Sequence, residues 1–259
     1  MFKNAFGYNL KTLEKVCISG MFIALTVILQ KVIAINYIPI MPFVRVSPGG
    51  PALIMFSSIF LGPIYGLAIG AGSDLLGYLI FDPKTFGFFP QITTIYALLG
   101  FVTYYVFFAV KLLKNEKLGL FVTSITLLLL AIASSLYFIL NDSITLYSTT
   151  YNLETIHKIM IPVIIFLLIG LLFAILFTFK KGKLDKDISL SIWQISLASF
   201  ILEIVVLVLF GSVMKSWAFN FNFFVIAICQ IVVLFINVPL NTFLIATFMR
   251  LTKRFKKVQ

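Results

Sequence analysis

RVSPGGPALIMFSSIFLGPIYGLAIGAGSDLLGYLIFDPKTFGFFP, residues 45–90, is apolar along most of its length and studded with glycine. It carries one carboxylate far from any flanking charge, Asp74, and a basic residue near each end, Arg45 and Lys84. Gly62, Gly66 and Gly70 fall four apart, a double GxxxG spacing that puts all three on one helix face and lets another backbone approach. Asp74 stands four residues further on. A carboxylate in mid-span is costly and belongs against protein or a wet cavity, as a ligand contact or as a brace for a turn. Proline and glycine break the helix at both ends of the stretch. Two apolar loops therefore flank it, one holding Arg45 and one reading DPKTFGFFP.

Working outward, the composition is that of a membrane protein. The chain has 259 residues, 61% hydrophobic and only 11% charged, where soluble domains are about 25% charged. Apolar runs reach the ~20 residues that cross a bilayer as a helix. The runs are continuous rather than alternating, which excludes a membrane β-barrel. Eight spans are expected, at about 16–35, 51–61, 66–81 (after a GPIY turn at 62–65), 91–110, 118–140, 159–179, 188–214 and 223–249, in a single membrane domain over 1–259. The second is short. Residues 1–14 form an amphipathic lead with Phe2, Phe6 and Leu10 among polar side chains, suited to the interface.

The net charge of +11 lies in blocks between spans, which is a topology signal rather than a nucleic-acid footprint. Eight spans put both termini on one side. Lys3, Lys11, Lys15, Lys111, Lys114, Lys117, Lys180, Lys181, Lys183, Lys186, Arg250, Lys253, Arg254, Lys256 and Lys257 fall there. Lys31, Arg45, Lys84, Lys158 and Lys215 fall opposite. Both termini are expected in the cytoplasm of a plasma-membrane protein, with both flanking loops outside.

His157 is the one histidine and reads as a loop residue; Cys17 and Cys229 sit in apolar runs without ligand spacing. No metal site and no cofactor are expected. No phosphate loop and no zinc motif are present. Asp74 and Glu203, the two carboxylates inside spans, have no evident way to meet. That disfavours the alternative of a lipid-modifying membrane enzyme. A self-contained secondary transporter, the other alternative, lacks an evident inverted repeat. Asn237 and Asn241 share a helix face suited to hydrogen bonds between helices.

Arg45-Val46, Gly62-Pro63 to Gly66, Asp74-Leu75-Leu76-Gly77 and Phe88-Phe89-Pro90 together resemble the folate-type substrate-binding (S) component of energy-coupling factor (ECF) vitamin transporters. The likeness covers about 85 residues of the first four spans, and less of the last two. Two departures stand out. Gln91-Ile92-Thr93-Thr94 replaces the family's usual GFTL, and Gln230 is the nearest polar residue where an arginine is associated with the last helix.

The resemblance implies a six-helix core, about 16–113 and 188–250, with an inserted helix pair at about 118–180. It implies capture of a vitamin outside, folate or a related pterin, with another vitamin as the alternative. The chain would be no enzyme; ATP hydrolysis would belong to two cytoplasmic ATP-binding subunits, joined through a transmembrane coupling subunit. Gly20 and Ala24 on the first helix are the positions carried over for that contact. Arg45, Asp74, Lys84, Phe86, Phe88 and Phe89 are the substrate-binding candidates. An arginine can grip a carboxylate with two parallel bonds, and the phenylalanines can cover a flat ring.

Overall fold

The computed structural model of the chain describes residues 6, 10–34, 46–81, 87–146, 149–181 and 190–256. Its helices are α1 (Thr12–Val32, with π turns over Ile28–Val32), α2 (Gly50–Leu61), α3 (Pro63–Phe81), α4 (Pro90–Leu112), α5 (Glu116–Leu140), α6 (Thr155–Lys181), α7 (Ile192–Phe219, with π turns over Glu203–Phe210) and α8 (Phe223–Lys256). All except α2 are long and apolar enough to cross a bilayer. The chain is an all-α, multi-pass membrane protein. Between α5 and α6 stands an antiparallel hairpin, β1 (Ser143–Leu146) and β2 (Thr149–Asn152). Sequence reading takes that segment for a polar loop and places His157 in it; His157 is in fact in the first turn of α6.

Helix starts follow local chemistry. Glu14 accepts from the Lys11 N–H at 2.9 Å, and Gln194 from the Ser191 N–H at 3.0 Å. Asn115 caps α5 through the Leu118 N–H at 3.2 Å. Each bond satisfies a donor that a helix leaves open at its start. Pro90 opens α4, where its missing N–H costs nothing.

Contacts fix the direction of each helix. Lys15 lies over the Tyr65 ring and the Lys31 stem lies over Gly77, so α1 and α3 run in parallel. Gly66 meets Gly100 and Gly70 meets Tyr96, so α3 and α4 are antiparallel. The Gln194 amide donates to the Leu113 carbonyl at 3.0 Å and to the Val110 carbonyl at 3.3 Å, tying the start of α7 to the end of α4. Phe56 meets both Phe22 of α1 and Phe248 of α8. The start of α1 and the end of α8 therefore share one end of the bundle.

The second helix is the exception in length. Its 12 residues are all buried and rise about 18 Å, against the ~30 Å of a bilayer's hydrocarbon. It is a half-span. Val46 packs with Cys229 and Val233 near the start of α8, while a side chain at Gly49 would meet Leu244. Val46 and the turn at residues 47–49 thus lie beside α8, and α2 begins partway through the bundle. Irregular backbone at that depth survives only inside protein or beside a cavity.

The α3–α4 contact rests on backbone approach. A Cβ on Gly66 would lie 2.5 Å from the Gly100 carbonyl oxygen; one on Gly70 would lie within the van der Waals shell of the Tyr96 carbonyl. Gly62 does not share that face, contrary to the spacing argument. It lies outside both helices at φ +111°, and nothing stands within 4 Å of its would-be Cβ. Its part is the reversal between α2 and α3, a backbone shape that favours glycine.

α5 and α6 pack on one another and chiefly on α7 and α8. Leu127, Ala131, Ile165, Ile169 and Leu172 share a buried cluster with Phe200, Val208, Leu234 and Val238. The cluster around Phe56 and Leu99 instead joins α2, α3 and α4 to α7 and α8. α7 and α8 therefore close against α1–α4, and α5 and α6 stand to one side.

Candidate functional site

Asp74 sits on α3 one turn before Gly77 and is 9% exposed. The Thr93 hydroxyl of α4 donates to its Oδ2 at 2.6 Å. A side chain as short as threonine reaches across because Gly66 and Gly70 have already drawn the two backbones together. The stem of Lys31 crosses Gly77 beside this pair.

Of the loop candidates, Arg45, Lys84 and Phe86 lie outside the described residues. Phe88 is exposed and its ring centroid is 5.3 Å from that of Tyr78. Phe89 is half-buried and lies 4.8 Å from Phe219, which in turn stacks on Phe221 at 5.8 Å. The start of α4 is thus joined by aromatic contacts to the turn between α7 and α8. Asn220 makes that turn in the left-handed region, φ 55°.

A second polar group lies between α7 and α8. Glu203 is 2% exposed. Its Oε1 accepts from the Asn241 amide at 2.8 Å and its Oε2 from the Asn237 amide at 3.4 Å. Asn237 and Asn241 are four apart on one face of α8, so one carboxylate takes both. The Lys215 ammonium, in the last turns of α7, is in electrostatic range of Glu203 and of Cys229. Sequence reading ends the seventh span at residue 214 and leaves Lys215 in a loop. The helix runs on to Phe219, and Lys215 is half-buried within it. Thr93 and Gln30 are further polar partners that pattern alone does not single out. Asp74 and Glu203 each accept from neutral side chains of a neighbouring helix, Thr93 in one case and Asn237 and Asn241 in the other. Among the described residues, no group of three or more His, Cys, Asp or Glu side chains can hold a metal ion.

The third feature is a groove on the outer face of the bundle. Gly20, Ile23, Ala24, Val27 and Ile28 of α1 line it with Leu76, Ile80 and Phe81 of α3. Gly20 and Ala24 are exposed, and a Cβ on Gly20 would meet no atom within 4 Å.

A family model described as the ECF transporter substrate-specific component matches residues 14–168, more than half of the chain. Neither a curated protein nor a solved structure matches. The matched stretch takes in α1–α5 and about half of α6, whereas the packing ties α7 and α8 to the first four helices. This family consists of substrate-binding subunits that associate with the other subunits of an ECF module. A multi-pass helical bundle holding buried polar groups, and matching that family over most of its described helices, is a member of it: the chain belongs to the ECF transporter substrate-specific components and is a substrate-binding transport subunit, not an enzyme.

Proposed function

We propose that the substrate is folate or a related pterin, captured from outside the cell and passed to an ATP-driven module. The observation that carries this reading is two aromatic contacts at the start of α4, Phe88 with Tyr78 and Phe89 with Phe219, the latter stacked in turn on Phe221. Phe88 and Phe89 follow Lys84 and Phe86 closely in the chain. A flat heteroaromatic ring finds stacking partners there, and its carboxylates find Arg45 and Lys84. Asp74 belongs to the binding architecture through Thr93. Sites of this kind combine apolar walls with a few placed polar groups.

The module comprises a transmembrane coupling subunit and two cytoplasmic ATP-binding subunits, and ATP is hydrolysed in the latter. The coupling subunit docks on the groove of Gly20 and Ala24, where small residues admit a foreign helix. Both termini are cytoplasmic in the plasma membrane, because the start of α1 and the end of α8 share the end of the bundle richer in Lys and Arg. α5, the hairpin and α6 are an insertion beside a six-helix core; their lateral packing supports that division.

The test is gentle purification with mass spectrometry of copurifying small molecules and subunits, followed by folate titration. Saturable folate binding and copurifying ATP-binding subunits are expected. A different copurifying vitamin, with no folate binding, overturns the substrate and leaves the family standing.

A further inference from the structure

The geometry points to a carboxylate-binding subsite at the buried start of α2, formed by its open N-terminal backbone and the side-chain amide of Gln30. α2 begins inside the bundle, so its N-terminal end, worth about half a positive charge, is not dissipated in water. In its first turn, the Gly50 N–H is bonded to the Ser47 carbonyl at 3.3 Å and the Leu53 N–H to Gly49 at 3.0 Å. Pro51 has no donor. The Ala52 N–H has no acceptor among the described residues, although Ala52 is fully buried.

Gln30 supplies the independent sign. It is 4% exposed, and its Nε2 has no hydrogen-bond partner among the described residues. That nitrogen is aimed at the helix start: a Cβ on Gly50 would lie 3.4 Å from Nε2 and 2.6 Å from the Gln30 Cγ. The Ser47 hydroxyl is 3.4 Å from the same point. Gly50 is what lets the amide come so close. The π turn over Ile28–Val32 sets the facing; π turns inside α-helices recur at functional sites. Lys31, the next residue, turns instead to Gly77 on α3, so the Gln30 amide, the Ser47 hydroxyl and the Ala52 N–H at this helix end are all neutral groups.

The Gln30 Nε2 and the Ala52 N–H are buried donors without an acceptor among the described residues, and they call for one from a ligand. A carboxylate fits best, because a half-helix start inside a membrane protein favours anionic substrate groups. Arg45 lies one residue before Val46 in the chain, on the segment that leads into this helix. The subsite rests on the reading of the chain as a vitamin-binding subunit, and deepens it: the substrate enters with a carboxylate directed at Gln30 and the start of α2.

The test measures equilibrium binding of folate, folate diester, biotin and biotin methyl ester to the purified full chain and to Gln30→Glu and Gln30→Leu. Gln30→Glu replaces the donor by an acceptor of like charge to the ligand. Gln30→Leu removes the donor and keeps the bulk. Melting curves verify that both variants fold. The expected result is folate binding weakened about tenfold or more by either variant, with diester binding weak and unchanged between variants and wild type. Folate binding that ignores both substitutions overturns the subsite and leaves the folate reading intact. No folate binding, with biotin bound in a Gln30-dependent and ester-sensitive way, overturns folate and sustains the subsite. Binding of none of the four overturns both.

Discussion

The Thr93 hydroxyl reaches Asp74 across the α3–α4 interface at 2.6 Å, two turns beyond the point where Gly66 and Gly100 bring the two backbones together. This bond holds a carboxylate that the membrane interior would otherwise penalise. Replacing Thr93 by valine keeps the shape and removes the donor. A hydrogen bond to a charged group is worth about 1.5–3 kcal/mol. Thr93→Val should lower the melting temperature in detergent and Thr93→Ser should restore it. Equal melting of all three proteins would show that Asp74 is held by other groups.

The glycines differ in what they tolerate. A Cβ on Gly70 falls on the backbone of Tyr96, which cannot turn aside. Gly70→Ala should force α3 from α4 and cost on the order of 1–3 kcal/mol. Gly62→Ala meets no neighbour but must hold φ +111° and ψ 169°, and should cost about 1–3 kcal/mol through backbone strain. Gly20→Ala should leave thermal stability unchanged. Gly20→Leu should also leave the isolated chain folded while reducing recovery of the coupling subunit in pull-down. Full recovery with Gly20→Leu would remove α1 from the docking face.

The Glu203 network calls for a double-mutant cycle. Asn241→Leu removes one of the two amide donors to a buried carboxylate and should destabilise by about 1–3 kcal/mol. Glu203→Leu combined with Asn241→Leu removes both partners and should lie closer to wild type than Asn241→Leu alone. Additive losses, read from denaturation midpoints, would mean that the two side chains do not act as a unit.

Just past the end of α5, Asp142 accepts from Lys158 of α6, which holds its carboxyl below the ordinary value of 3.8, through the hydrogen bond first and the charge second. A depressed folded value means that the contribution is present above 3.8 and fades as pH falls through the lower folded value. The Leu153 N–H, bonded to the Asp142 carbonyl at 2.8 Å, is the reporter. Below pH 3.8 its exchange protection should decline relative to Asp142→Asn, which has no such pH dependence. The effect is small, because Asp142 is fully solvated.

Much of the fold is readable in order along the chain, since a span needs only length and apolar composition. The carboxylates inside spans, Asp74 and Glu203, stand out for the same reason. Their partners do not. Thr93 is an unremarkable helical threonine until the glycines bring α4 close. Glu203 and Asn241 are 38 residues apart, and only the crossing of α7 and α8 joins them. The i and i+4 spacing of Asn237 and Asn241 is legible, but what faces them is not. Gln30 is hidden more deeply, because its facing depends on π turns that period-3.6 reading does not detect. The hairpin between α5 and α6 is missed because its eight strand residues carry no clear alternation.

The π turns of Glu203–Phe210 have a geometric consequence for α7. Each residue that an α-helix gains in this way rotates everything beyond it by about 100° about the helix axis. The two halves of α7 are therefore aimed independently: one presents Gln194 to the end of α4, the other presents Lys215 and Phe219. Deleting a single residue within 204–209 would leave the helix long enough to span and its composition nearly unchanged. It would swing the Lys215–Phe219 half to a different compass bearing, and Phe89 would lose its ring partner without any residue at that contact having been altered.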